Sequence, residues 1–499
     1  MVTAAQSGLG IGRGLVRTDK NNVAPRIGVA LGLGEKSVVR GGYGIYFPTA
    51  AAQGIRDPLS TNAFNQALTK SNLGINPQQL QPWPTPLSGG DLNNLAGLLS
   101  FNAVPVGLHQ PLIQQYNATF ERELGLKTAV RFSYLGTTAH GLIAGTDLNE
   151  LRPSDVGWNT TTGDGVTPCD TDAGDCEPTP AQTAALPYPA LGDFLVSFGN
   201  FGRSQANAFQ TQLERRYNSG LMFTASYTYV DQESTGLDVG ESSLGGVAYN
   251  PFNPEHDYGQ DGWISRHRFV LYGVYDLPVG RGRKFGSSFS KWADTVIGGW
   301  QTTFQMFAKS GTGFTPYWTC DNCFNSDHYI GPGNIATGSV DAVGDFEGGY
   351  RPVVVGNYKQ HVGDQLYDPA AFGLPPMGAD VFDNPQVAKR NLLWGPGAWG
   401  VNLGLHKDFR FGERVNATLG ADFNNVFNHP LRAPNHDGGD TFSNLGSFSV
   451  EVDPATLRLR PSTVDPVVPN PDFANPRQTF SQEGIDSRRT VRLRLRITF

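Results

Sequence analysis

Val491-Arg492-Leu493-Arg494-Leu495-Arg496-Ile497-Thr498-Phe499 closes the chain, and oily and wet side chains change places at every step. Successive side chains of a strand point to opposite faces. This period of two therefore describes a strand with Val491, Leu493, Leu495, Ile497 and Phe499 on one face and Arg492, Arg494, Arg496 and Thr498 on the other. Two environments accept such a strand. In a soluble sandwich the oily face meets a core and the arginines meet water; in a barrel it meets lipid and the arginines line the lumen. One strand leaves both open.

The same alternation recurs in pairs across short connections. Val401, Leu403, Leu405, Phe409 and Phe411 precede Gly412-Glu413, and Val415, Ala417, Leu419, Ala421 and Phe423 follow it. Asn402, His406, Asp408, Arg410, Asn416, Thr418, Asp422 and Asn424 occupy the opposite face. Further pairs are 27–33 with 37–47, 116–124 with 128–135, and 207–217 with 221–229, the last across Asn218-Ser219-Gly220, a sequence with hairpin chemistry. A looser pair, 269–277 and 300–308, flanks a basic connection carrying Arg281, Arg283 and Lys284. The pattern predicts an all-β, antiparallel transmembrane barrel with about eleven strands of the roughly ten residues that a tilted membrane strand needs.

The connections support the membrane reading. On one side they are tight; on the other, residues 48–111, 138–202, 231–262, 310–397 and 429–485 are long and rich in Gly, Pro, Asn and Asp. Short inner turns alternating with long extracellular loops are the habit of outer-membrane barrels, whereas loops of that length are uncommon in a compact soluble domain. Tyr46, Phe47, Tyr217, Tyr229, Trp263, Tyr275, Trp300, Trp399, Phe411 and Phe427 fall near strand ends, where interfacial girdles sit, although aromatics favour any strand.

Composition agrees. Gly 62 and Pro 34, with a mean hydropathy of -0.31, suit strands and turns more than helix bundles. A net charge of -7 argues against nucleic acid as a partner, because a binding surface must neutralise phosphates. No run approaches the roughly 18 apolar residues of a spanning helix, so only strands can cross a bilayer here. The start, Met1-Val2-Thr3-Ala4-Ala5-Gln6, has neither a basic nor an apolar export region. Counting back from an inward-running final strand places residues 1–24 in a partial outer loop and 25–499 in the barrel, so the sequence is expected to lack its N-terminal part.

Three segments carry a resemblance. The first is Arg266-His267-Arg268-Phe269-Val270 with Tyr275-Asp276-Leu277-Pro278, preceded by Asn250-Pro251-Phe252-Asn253-Pro254 and Asp257-Tyr258-Gly259. The second is Gly298-Gly299-Trp300-Gln301 leading to Ser310-Gly311. The third, and most specific, runs from Gly395-Pro396-Gly397 through Lys407-Asp408-Phe409 and Phe411-Gly412-Glu413-Arg414 to Phe423-Asn424-Asn425-Val426-Phe427-Asn428-His429-Pro430. From about residue 20 onward the sequence resembles the Oar-like branch of the TonB-dependent receptors. The resemblance implies a signal peptide, an N-terminal regulatory-like domain, a plug and a barrel of twenty-two strands, of which this chain would hold the C-terminal half. The plug and the box that meets TonB have no counterpart in it. The terminal run Val491, Leu493, Leu495, Ile497, Phe499 looks like the signal read by the barrel-assembly machinery; alternatively Phe499 only anchors a strand end.

Other chemistry is thin. Cys169 with Cys176, and Cys320 with Cys323, lack four-ligand zinc spacing, and local disulfides closing outer loops are expected in an oxidising compartment. Asp164, Asp170, Asp172 and Asp175 offer oxygens to calcium but miss the EF-hand pattern, as does Asp437-Gly438-Gly439-Asp440; solvated loop charge is the expectation. Gly32-Leu33-Gly34-Glu35-Lys36-Ser37 only mimics a phosphate loop, and HExxH and G-x-S-x-G are absent. His267, between two arginines, is read as a structural hydrogen-bonding residue. Neither a cofactor nor an enzymatic role is expected. Lumen-facing Arg492, Arg494 and Arg496 either line an anion path or pair with carboxylates such as Asp408, Asp422 and Glu121, pairing being expected of lumen charges. Tyr317, Trp318, Phe324 and Tyr329 form a candidate ligand loop able to stack on a sugar or peptide, or are loop aromatics without a ligand. The expected role is an outer-membrane receptor or transporter for uptake or exchange of a ligand too large for porins; the alternatives are a self-contained adhesive or structural barrel and a soluble secreted protein.

Overall fold

The computed structural model describes residues 17, 19–48, 101–103, 105–149, 151–189, 195–235, 250–322, 350–377, 382, 384–411, 415–432, 442–477, 479 and 485–499. Its frame is β1 (Arg26–Leu33), β2 (Ser37–Tyr46), β3 (Leu112–Gly125), β4 (Thr128–Asp147), β5 (Leu195–Asn218), β6 (Leu221–Ser234), β7 (His267–Asp276), β8 (Trp300–Lys309), β9 (Ala398–Phe411), β10 (Val415–Asn424) and β11 (Thr490–Thr498). These strands pair in chain order, each antiparallel to the next, so the expected strand count and direction hold. Phe101–Ala103 and Gly259–Gln260 add short pieces to β5 and β6. Among the described residues no helix is long and apolar enough to cross a membrane.

Register turns the alternation into two faces. Leu31, Val39, Phe120, Phe132, Thr211 and Tyr227 stand side by side from β1 to β6. Phe223, Gly273, Phe304, Leu403, Phe423 and Val491 do so from β6 to β11. Three positions along, the polar face presents Gln301, His406, Gly420 and Arg494 in a row. The oily face is left in the open: Ile27, Leu31, Tyr227, Leu403, Leu419 and Leu493 are all exposed. So long an uncovered apolar surface is what a lipid-facing wall needs and what a water-soluble protein avoids.

The turns explain why the hairpins close where they do. Ser219 and Gly220 both take positive φ, 54° and 82°, as a two-residue hairpin turn matched to strand twist requires. Leu126 and Lys127 do the same without a glycine between them, directly after Gly125 at φ 92°. β1 and β11 are hydrogen-bonded on one side only among the described residues, so the sheet is open between them.

Two expectations need correction. β4 and β5 run to 20 and 24 residues, roughly twice the membrane-spanning length. Register shifts between His140 and Ala144 mark where they leave the regular wall. The long outer connections, read as Gly- and Pro-rich loops, are folded together. Phe314, Trp318, Tyr350, Phe372, Leu393, Phe442, Leu445, Phe448 and Phe473 make one buried cluster drawn from residues 313–394 and 442–474. Counting turn formers hid these aromatics, which are sparse along the chain but converge in space. The result is an outer cap with its own core, built on short ladders such as Tyr317–Cys320 with Asn444–Phe448. A second cluster, Phe307, Ala398, Leu431 and Ile485, seats the cap against the wall at the outer end of β8 and β9.

Candidate functional site

The polar face and the cap above it form the candidate site. On β2 to β5, Glu121 Oε2 accepts from Arg40 Nη1 at 3.1 Å and from Arg131 Nε and Nη2 at 3.2 and 3.1 Å. Arg131 Nη1 continues the chain to Gln212 Oε1 at 3.1 Å. On β9 to β11, Asp422 lies between His406 Nε2, at 3.4 Å, and Arg494 Nη2, at 2.6 Å. Asp408 accepts the Thr418 hydroxyl at 2.6 Å.

The terminal arginines therefore differ from one another. Arg494 is paired, whereas among the described residues no carboxylate pairs with Arg492 or Arg496. Glu121, named in the sequence as a possible partner, sits on β3 at the other side of the sheet and is held by Arg40 and Arg131. Strand order, which a sequence does not print, decides this. The wall offers fixed positive and negative groups in alternation.

The cap's cysteines are joined: Cys169 and Cys176 form a disulfide, and Cys320 is also disulfide-bonded. Cys323 lies outside the described residues. Cys169, Cys176 and Asp175 cluster as a metal site would, but the two sulfurs are bonded to each other and present no thiolates. Asp164 accepts the Val166 and Thr167 amides, each at 2.8 Å, and its carboxyl is held below the usual range, chiefly by the Thr167 hydroxyl. Asp170 caps the amides of Asp172 and Ala173, and Asp175 accepts that of Asp170. These oxygens stitch their own turns. Asp437 to Asp440 lie outside the described residues.

The proposed ligand loop is redirected by burial. Tyr317 and Trp318 are 3% and 6% exposed, inside the cap core, with Trp318 Nε1 donating to the Gly373 carbonyl at 3.1 Å. Their faces are covered by protein and not open to a sugar or peptide. Phe324 and Tyr329 lie outside the described residues. His267 Nδ1 lies 2.8 Å from the Tyr227 hydroxyl.

Three features escaped the sequence. Asn322 is buried and ties loops far apart in the chain, its Nδ2 reaching Asp172 Oδ1 at 2.8 Å and the Val450 carbonyl at 2.8 Å while its Oδ1 accepts the Val450 amide. Arg351 and Asp257 form a buried ion pair at 2.6 Å, with side-chain exposures of 1% and 3%. Beside them, burial pushes the His256 imidazole below its ordinary value; Arg351 and Lys389 add to this and Asp257 opposes it. Lys407 lies on the oily face and is buried. Asp257 and Lys407 stood inside segments quoted for the resemblance and Asn322 two residues after a cysteine, but nothing local to them announced these contacts.

A profile described as outer membrane beta barrel domain matches residues 1–456. No curated protein sequence matches the chain. Among solved structures the chain is similar to the outer membrane transporter YddB from Escherichia coli, at 10% identity and a TM-score of 0.37, covering 81% of this chain and 36% of that one. It is also similar to the siderophore receptor PiuA from Acinetobacter baumannii, at 8% identity and a TM-score of 0.35, covering 95% and 35%. For BauA, the ferric preacinetobactin receptor of the same organism, the values are 9%, 0.32, 83% and 33%. The chain spans about a third of the length of these structures.

Proposed function

The chain belongs to the outer membrane beta barrel domain family, and on that premise we propose that it forms wall and cap of a receptor that takes up or exchanges a ligand too large for porins. Its place is the outer membrane, and it is β-sheet throughout its wall. The observation that carries the reading is the pairing of a polar, charge-bearing face with a folded outer cap on the same sheet: a solute is met outside and handed along fixed charges inside. In this reading the chain has no catalytic step. It acts, in the Oar-like manner, together with a plug that contacts TonB. Further strands complete the edges of β1 and β11 to make a twenty-two-stranded barrel, since unpaired backbone groups in lipid cost several kcal/mol each.

The test is a comparison of solutes left in spent medium by cells with and without the gene. Persistence of at least one solute above the porin size limit in the deletion culture is the expected result. An unchanged solute profile combined with lost cell-to-cell or surface attachment would overturn the receptor reading in favour of an adhesive barrel.

The terminal run is assigned here to assembly. Phe499 is 98% exposed at the end of β11, so deleting it removes little packing. Recovery of the deleted form in the outer membrane should drop by about tenfold or more while soluble or degraded chain rises; undiminished recovery would reduce Phe499 to a strand anchor.

A further inference from the structure

The connection between β7 and β8 was legible only as a basic stretch, yet it folds. Ser290 caps the helix Lys291–Ile297 by accepting the Ala293 amide at 3.2 Å, and Gly298-Gly299 ends it. Its C-terminal carbonyls are held by two side chains of the wall's oily face. Lys407 Nζ donates to the Asp294 carbonyl at 3.2 Å and to that of Gly298, and Trp300 Nε1 donates to the Val296 carbonyl at 2.9 Å. Trp300 and Lys407 are register partners on β8 and β9. The helix is thus strapped against the outside of the wall and not beneath its lumen.

It lies at the rim that carries the tight turns and the chain's end, because Lys407 stands opposite Leu419, and Leu419 opposite Leu495. In outer-membrane barrels the tight-turn rim is periplasmic, so the helix sits at the phospholipid leaflet. Away from the wall it offers Trp292, Val296 and Ile297, which are 78%, 50% and 50% exposed, with Phe285 beside them. Arg281, Arg283, Lys284 and Lys291 surround these, all exposed. The one carboxylate between residues 277 and 299, Asp294, is turned inward to accept the Arg281 amide at 2.6 Å. Exposed Trp and aliphatic side chains ringed by four basic groups, with Asp276 near Arg283 as a counter-charge, are the composition of an element seated in a headgroup layer.

We propose that this rim element is a binding site for anionic phospholipid of the periplasmic leaflet: the apolar side chains enter the acyl boundary and the four basic groups take the phosphates. Lys407 is the positioning residue, contacting the helix and not the lipid. The assignment stands whether or not the wall transports a solute.

The full chain in detergent micelles, offered dioleoylphosphatidylglycerol or dioleoylphosphatidylcholine and observed by native mass spectrometry, tests it. Wild type should retain the anionic lipid about tenfold more than the zwitterionic one. Replacing Arg281, Arg283, Lys284 and Lys291 together with Gln should erase that preference; these side chains are exposed, so the wall is undisturbed. Lys407→Met should lower the preference severalfold with the four basic groups intact, and should speed amide exchange in Lys291–Ile297. A preference that survives the fourfold substitution, or one directed at lipid A in place of phosphatidylglycerol, overturns the proposal.

Discussion

Arg351→Met is expected to open the outer cap while leaving the wall in place. Arg351 Nη2 meets Asp257 Oδ1 at 2.6 Å with both side chains almost fully enclosed, so the substitution strands a buried carboxylate. Removing one partner of such a pair costs about 3–5 kcal/mol, far more than the pair itself contributes. The loss falls on the segment Pro254–Asp257 and on the strands around Tyr350, which pairs with Trp318 in the cap core. Hydrogen exchange should therefore accelerate by two or more orders of magnitude at residues 313–322 and 350–377 and stay unchanged in β8 to β10. Uniform protection in the variant would show that the pair is incidental.

Acid should mimic this substitution in part. The cap holds His256 below its ordinary value of 6.5, first by burial and then through Arg351, so the folded form binds fewer protons than the unfolded one. Stability from this source is whole above that value and is lost as pH falls below it. The same exchange measurement at falling pH should show the cap loosening before the wall.

The second large effect concerns the two faces. Leu403 lies midway along β9 between Trp399 and Lys407, in register with Phe304 and Phe423 on the oily side. Eight residues cover about 27 Å of strand, or ~20 Å of height at barrel tilt, which places Leu403 deep in the apolar band. Leu403→Arg should cost about 2–4 kcal/mol and lower the assembled fraction in the membrane, whereas Asn402→Arg, one step away on the polar face, should cost little. Urea unfolding from phospholipid vesicles reads the difference. Equal costs at the two positions would mean that the oily face does not meet lipid.

What the sequence disclosed and withheld follows from range. Alternation is a local property, so every wall strand announced itself, and Asn218-Ser219-Gly220 fixed its hairpin through backbone preferences that lie in the residues themselves. Asp422 was one of three carboxylates offered to the terminal arginines, but that Arg494 takes it, and not its register partner Arg492, depends on side-chain reach that the sequence does not carry. The cap did not, because Phe314, Phe372, Phe442 and Phe473 have no periodicity and meet only through tertiary closure. Tyr317 and Trp318 were noticed as aromatics and placed on the surface, when their chemistry belonged to the core. The rim helix had a readable Ser290 cap and Gly298-Gly299 stop, but seven residues between two strands were easily absorbed into a loop.

Asn322 finally sets an order of events. The Cys169–Cys176 bridge joins sulfurs seven residues apart and is within reach as soon as that segment is made. Asn322 must find Asp172 and Val450, 150 and 128 positions away, and each closure carries the entropy of the intervening chain. Those intervals contain most of the hairpins, so the amide can lock only after they are laid down. The roof is thus expected to close after those hairpins, and until then its aromatics stand bare to whatever escorts the chain.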